Sequence, residues 1–269
     1  MPGGGLAVGG GFGTLAIIVV AMLLGVNPMQ LLQQAGPPPG AVENGGGGAP
    51  VADSPLQEFT EVILKDTEDV WNAQLRQQLG REYAEPRLIL FSDSVRSGCG
   101  VAGSNVGPFY CPADSTVYLD LRFFETLSEK LGATGDAAMA YVIAHEVGHH
   151  IQNQLGINEQ VSQRQRGISR EEANQMSVRT ELQADYLAGV FFHYAQRSKQ
   201  ILESGDIEEA LNAAERIGDD VLTGGKTPES MFTHGKGASR MKWLRRGMQS
   251  GSVAREDLMA TFEASYESL

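Results

Sequence analysis

The 269-residue chain has only two cysteines and five histidines, and its first 42 residues carry no Asp, Glu, Lys or Arg. Basic residues are also scarce, 21 against 33 acidic ones, for a formal net charge of −12. Each shortage excludes something. A protein that holds nucleic acid by neutralising phosphates needs the opposite balance, and no run of Lys or Arg offsets it here, so nucleic acid is not expected as a partner. Cys99 and Cys111 are spaced neither as a C-x-x-C redox pair nor as a paired-cysteine zinc knuckle. No repeat of solenoid length recurs. What remains, 42% hydrophobic and 20% charged residues, is ordinary globular composition, which removes collagen-like, coiled-coil and wholly disordered classes.

This uncharged start is rich in glycine, the first 48 residues of the chain holding 14 of its 33. Inside it, residues 6–26 have no polar side chain except Thr14. In a helix, 21 residues span roughly 30 Å, the thickness of a bilayer core. Residues 1–27 therefore read as a membrane anchor. A cleaved signal would want basic residues before the apolar run and an A-x-A site after it, and both are lacking. Gly9, Gly10 and Gly11 weaken a spanning helix, so a cleaved signal and a buried helix stay as alternatives. The first basic residue is Lys65, so flanking charge does not orient the segment. Residues 28–54, with Pro37, Pro38 and Pro39 followed by four consecutive glycines from Gly45, read as a Pro/Gly-rich linker. The folded domain is expected over residues 55–269.

Gly98, Gly100, Gly103 and Gly107 surround the two cysteines, a loop able to close on itself. The expectation is a Cys99–Cys111 disulfide, against two reduced buried thiols. Closing such a loop is worth roughly 3 kcal/mol on the chain-entropy model, and the bond would put the domain outside the reducing cytosol.

Along the domain, apolar spacing predicts a helix over 55–80 with Gly80 as its stop. PRLILF and STVYLDL read as strands, with Val117, Leu119 and Leu121 alternating against Tyr118 and Asp120. A helix is predicted from Asp136 to about Leu155, capped by Thr134 or Asp136 and left at Gly156. Ser169 and Glu172 form a capping-box pattern opening a long helix to about Glu203, and another helix opens at Asp206 and stops near Gly218. Strands come early and helices late, which predicts an α+β fold: a small, mostly antiparallel sheet beside several helices.

The chemistry lies in AHEVGHHIQ. His145 and His149 are four residues apart on a predicted helix, so both imidazoles leave one face and can bind one metal ion. Glu146 stands beside them without being a ligand, the arrangement of H-E-x-x-H metallopeptidases. Zinc polarises a carbonyl and acidifies a water, while the glutamate moves the proton. His150 is expected at the surface or behind a ligand, with no ligand role. A third ligand is still needed. Glu181, in RTELQADYLAG, is the best candidate, because Asp185 follows on the same helical face and can accept the free ring N–H of a zinc histidine. Glu171 and Glu172 compete for the role. No third histidine follows in metzincin spacing.

The segments TEDVW, SGCG, GPFYCPADSTVYLDL, YVIAHEVGHH, ELQADYLAGV, EALNAAERIGDD and FTHGKGASRMKWLRRG, in this order, closely resemble the bacterial neutral zinc metallopeptidase family with one amino-terminal membrane anchor. The likeness covers nearly everything after residue 55. It implies one zinc ion per chain held by His145, His149 and Glu181, with Glu146 as the catalytic carboxylate, as in gluzincin-type peptidases. Family members usually show a charged stretch before the anchor, which is absent here.

Two further elements suit a peptidase cleft. STVYLDL is either an edge strand along which a peptide substrate lies extended or an ordinary core strand. His234, in FTHGKGASR, is either a donor that with Arg240 stabilises a developing oxyanion or a solvated loop histidine. The reading is thus a single-pass, membrane-tethered zinc metalloendopeptidase with an extracytoplasmic catalytic domain, acting on peptide or protein substrates by glutamate-assisted attack of water. The rival is a zinc-stabilised extracytoplasmic binding or scaffold protein without turnover, which would have no use for Glu146.

Overall fold

The computed structural model describes residues 54–92, 94–103 and 106–269. The expected anchor, and all of the expected linker but Ser54, lie outside the described residues. Among the described residues, no helix is long and apolar enough to cross a membrane.

The chain enters the domain at Ser54, whose hydroxyl accepts the Gln57 N–H at 3.1 Å and caps α1 (Pro55–Gln74). One π turn, Leu75–Leu79, continues the helix to Gly80, whose φ of 63° stops it where the sequence predicts. Five strands follow: β1 (Arg87–Phe91), β2 (Ser94–Ser97), β3 (Gly100–Gly103), β4 (Phe109–Cys111) and β5 (Thr116–Asp120). The last is not an edge strand. It lies at the centre of a three-stranded sheet in the order β1-β5-β4, parallel to β1 and antiparallel to β4, and all its residues are buried. Alternation along STVYLDL does not separate a wet face from a dry one, because both faces are covered and both flanks are paired. The edge-strand reading of this segment is therefore overturned. The parallel pair makes the sheet mixed, and the crossover it needs is supplied by the β2–β3 antiparallel hairpin and β4. Cys99 and Cys111 are disulfide-bonded, which ties the tip of that hairpin to β4.

From β5 the chain is mostly helical. Asp120 caps α2 (Leu121–Glu129), and α3 (Asp136–Gln154) carries the H-E-x-x-H sequence. The N-cap of α3 is Gly135, neither Thr134 nor Asp136. Gly135 has a φ of 101°, and the Glu209 carboxylate sits where a β-carbon would go. The fold thus brings an acidic side chain to the start of α3, where the helix dipole favours negative charge. After α4 (Ile157–Arg164), the predicted capping box opens α5 (Arg170–Lys199), which ends at Gln200 with φ 55° rather than running to Glu203. The remaining helices are α6 (Asp206–Arg216), α7 (Asp219–Leu222), α8 (Gly237–Ser250), α9 (Arg255–Leu258) and α10 (Ala260–Glu263).

The core is built on α5, packed against α3 on one side and α8 on another, with Tyr141, Ile143, Leu182, Leu187 and Phe191 fully buried. Each such side chain contributes about 1.5–3 kcal/mol by leaving water. Gly148 sets the distance between α3 and α5: a β-carbon there would stand 2.9 Å from the Ala184 carbonyl oxygen. Only glycine lets the helices cross this closely, and the crossing falls between His145 and His149 on one helix and between Glu181 and Asp185 on the other.

Candidate metal centre

At this crossing, the three residues expected as ligands come together. One ligand atom from each of His145, His149 and Glu181 lies within 4.8 Å of the others. Glu181 Oε2 is 3.1 Å from His145 Nε2, and its Oε1 is 3.5 Å from His149 Nε2. The atoms facing one another are thus those a metal would use. Two imidazole nitrogens and a carboxylate oxygen form a donor set that fits zinc. Burial alone would raise the Glu181 carboxyl, but the His149 and His145 imidazoles outweigh it and hold the group well below the usual carboxylate range. Glu172 is used by the capping box, where it accepts the Ser169 N–H at 2.9 Å. Glu171, beside it in the first turn of α5, is exposed.

Behind His145 stands a charged network. Asp185 Oδ1 is 2.8 Å from His145 Nδ1 and accepts the Tyr141 hydroxyl at 2.6 Å. Arg240, from α8, donates to both Asp185 oxygens at 3.0 Å and also reaches the Tyr141 oxygen and the Ile217 carbonyl. The guanidinium expected beside His234 as an oxyanion donor is therefore committed to Asp185. Burial opposes charge on the Asp185 carboxyl, yet Arg240 and His145 keep its pKa below the ordinary value. Burial also opposes charge on His145, but Asp185 and Glu181 push its pKa up to about 9.

His149 has a neutral partner, the Gln152 amide, with Oε1 2.9 Å from Nδ1. Glu146 is buried beside the two histidines. Desolvation raises its pKa, against the pull of His149 and His145. The neighbouring His150 is neither at the surface nor behind a ligand. It is a core residue, 2% exposed, packed edge-on against Tyr83 and Tyr110. Its Nε2 donates to the Ala84 carbonyl and its Nδ1 lies 3.0 Å from the Tyr110 hydroxyl, so the ring clamps the strand region onto α3.

His234 is buried and held by Asp219, a residue that no sequence reading singles out. Asp219 Oδ2 accepts the backbone N–H groups of Thr233, His234 and Gly235 at 2.8, 2.7 and 3.0 Å, and its Oδ1 lies 3.2 Å from His234 Nδ1. Burial would lower the His234 pKa, but Asp219 and the nearby Glu181 charge raise it. Among the described residues, no hydrogen-bond partner occupies His234 Nε2. The solvated-loop alternative for His234 does not describe this environment.

The sequence carries a local signal for Tyr141 and Gln152 as well. Tyr141 precedes His145 by four residues and Gln152 follows His149 by three, both on the ligand face of the helix. Asp219 offers no such spacing, since only the fold brings it to His234. A second acidic trio, Asp136, Asp206 and Glu209, gathers where α3 and α6 begin.

The family model that matches the chain is described as "Putative neutral zinc metallopeptidase" and covers residues 1–259. A protein of Escherichia coli (strain K12) printed as "Uncharacterized protein YpfJ" is 44% identical over 259 residues, which are 95% of this chain and 89% of that one. "Uncharacterized protein Rv2575" of Mycobacterium tuberculosis (strain ATCC 25618 / H37Rv) is 43% identical over 196 residues, 68% of this chain and 64% of that one. "Uncharacterized protein Mb2605" of Mycobacterium bovis matches to the same extent. No solved structure matches.

Proposed function

Since the chain belongs to the putative neutral zinc metallopeptidase family, we propose that it is a zinc metalloendopeptidase, held to a membrane by residues 6–26, with residues 55–269 forming the catalytic domain outside the cytoplasm. The observation that carries the enzymatic part is the meeting of His145, His149 and Glu181 atoms within 4.8 Å, with Glu146 buried next to them. One zinc ion held by His145, His149 and Glu181 would polarise the scissile carbonyl and acidify a water. Glu146 takes the proton of the attacking water and delivers it to the leaving amine. Its desolvated carboxyl, with a raised pKa, is suited to holding a proton between those two events. His234 presents Nε2 to the carbonyl oxygen as negative charge develops, and Asp219 orients the ring and favours its charged form. The Cys99–Cys111 disulfide supports the extracytoplasmic location.

The test compares hydrolysis of unstructured peptides by wild type and Glu146→Gln, with zinc measured on the same samples. Glu146→Gln is expected to keep the metal and lose turnover. Wild type that holds zinc and cleaves nothing would favour the scaffold reading, and an active Glu146→Gln would overturn the mechanism.

A further inference from the structure

The neutral partner of His149 is the first link of a longer chain of buried amides that no part of the catalytic reading uses. Gln152 and Gln183 are both fully buried. Gln152 Nε2 donates to the Thr180 carbonyl at 2.7 Å and to Gln183 Oε1 at 3.0 Å. Gln183 Nε2 in turn donates to the backbone carbonyl of Leu258, at the end of α9.

Carbonyl oxygens only accept, and that settles the direction of every link. With Thr180 O on one side, the amide group facing it must be the NH2 of Gln152, so the atom left facing His149 is Oε1. An oxygen there can only accept, so His149 must carry its proton on Nδ1. Its Nε2 lone pair is then free on the side of Glu181, where Nε2 stands 3.5 Å from Oε1. A flipped amide would donate to Nδ1, leave the proton on Nε2 and occupy the metal-binding position. Gln183 adds a second lock: the Leu258 carbonyl fixes its NH2 outward, so its own oxygen faces Gln152 and again demands an NH2 there. Thr180 is also the residue before Glu181, so the Gln152 bond joins the two ligand-bearing helices one residue from the third ligand.

We propose that Gln152 and Gln183 are positioning residues, a buried amide relay that sets the tautomer of His149 and makes zinc affinity depend on the seating of the carboxy-terminal segment at Leu258. The inference rests on the reading of His145, His149 and Glu181 as zinc ligands. Losing an outer partner of a metal histidine typically costs about tenfold to a hundredfold in affinity.

The test titrates zinc against a competing chelator in the full-length wild type, Gln152→Leu, Gln183→Leu and Gln152→Glu, with the melting temperature of each metal-free protein measured alongside. Gln152→Leu removes the acceptor, and a tenfold to hundredfold weaker zinc affinity is expected. Gln183→Leu, which leaves the Thr180 lock in place, is expected to lose less. Gln152→Glu keeps an acceptor for His149 but turns a carboxylate oxygen toward Thr180 O. It should therefore bind zinc better than Gln152→Leu while melting lower without metal. Unchanged affinity in Gln152→Leu overturns the relay, as does a loss of affinity that tracks the metal-free melting temperature across all variants. Wild type that takes up no zinc overturns the ligand reading itself, and the relay with it.

Discussion

His145 and His149 sit one helical turn apart and turn the same nitrogen, Nε2, toward Glu181, yet they are held from behind by opposite means. Behind His145 lie full charges: Asp185, braced by both arms of Arg240 and by Tyr141. Behind His149 lie two amides and two backbone carbonyls, with no net charge. The electrostatics of the pocket explain the asymmetry. Glu146, Glu181 and Asp185 are already buried here, and a carboxylate behind His149 would add another negative charge at several kcal/mol of desolvation. An amide fixes the proton on Nδ1 without that cost. The two arrangements orient a ring equally well but should fail differently: the charged pair is stable only as a pair, whereas the amide chain loses one hydrogen bond at a time.

That difference can be measured. Arg240→Leu leaves Asp185 buried without its guanidinium, and the expected loss is about 3–5 kcal/mol of stability in denaturant unfolding. Adding Asp185→Leu should restore part of it, and a double mutant no more stable than Arg240→Leu would show that the two residues are not coupled. Gln183→Leu is expected to cost about 1–3 kcal/mol, the penalty of an unmade buried hydrogen bond. If it costs as much as Arg240→Leu, the contrast between the two sides fails.

The smallest effect concerns His150, the neighbouring histidine that faces the core. Burial lowers its pKa below the usual 6.5, against the pull of the Ala84 carbonyl. The unfolded chain therefore takes up a proton that the folded chain refuses, and stability falls as pH drops below about 6.5. His150→Phe keeps the ring between Tyr83 and Tyr110 but cannot titrate. The stability gap between wild type and this variant should narrow on acidification from pH 8 to pH 5, when followed by urea unfolding. A gap that widens would mean the buried imidazole is protonated in the fold.

The parts legible beforehand are those governed by helical period. Four-residue spacing puts His145 and His149 on one face and Glu181 and Asp185 on another, and glycine and capping-box signals bound α1, α3 and α5 to within a few residues. What was not legible depends on which elements meet. STVYLDL alternates like a half-exposed strand, but its exposure is decided by β1 and β4, whose pairing lies outside its own sequence. His150 follows His149 directly, and a step of one residue turns a side chain about 100° around the helix, here away from the ligands and toward Tyr83 and Tyr110. Arg240 and Asp219 are reached only through the fold, which packs α8 against α5 and α7 against α6 and α8. Glu209 reaches the start of α3 for the same reason.

The central claim, that these two differently supported histidines and Glu181 hold one zinc ion, is most directly tested by a crystal of zinc-loaded protein measured on both sides of the zinc absorption edge. A single anomalous peak bounded by His145 Nε2, His149 Nε2 and a Glu181 oxygen, with Glu146 beside the metal and not bound to it, is the expected result. An empty site, or a peak held instead by Asp136, Asp206 and Glu209, would contradict it.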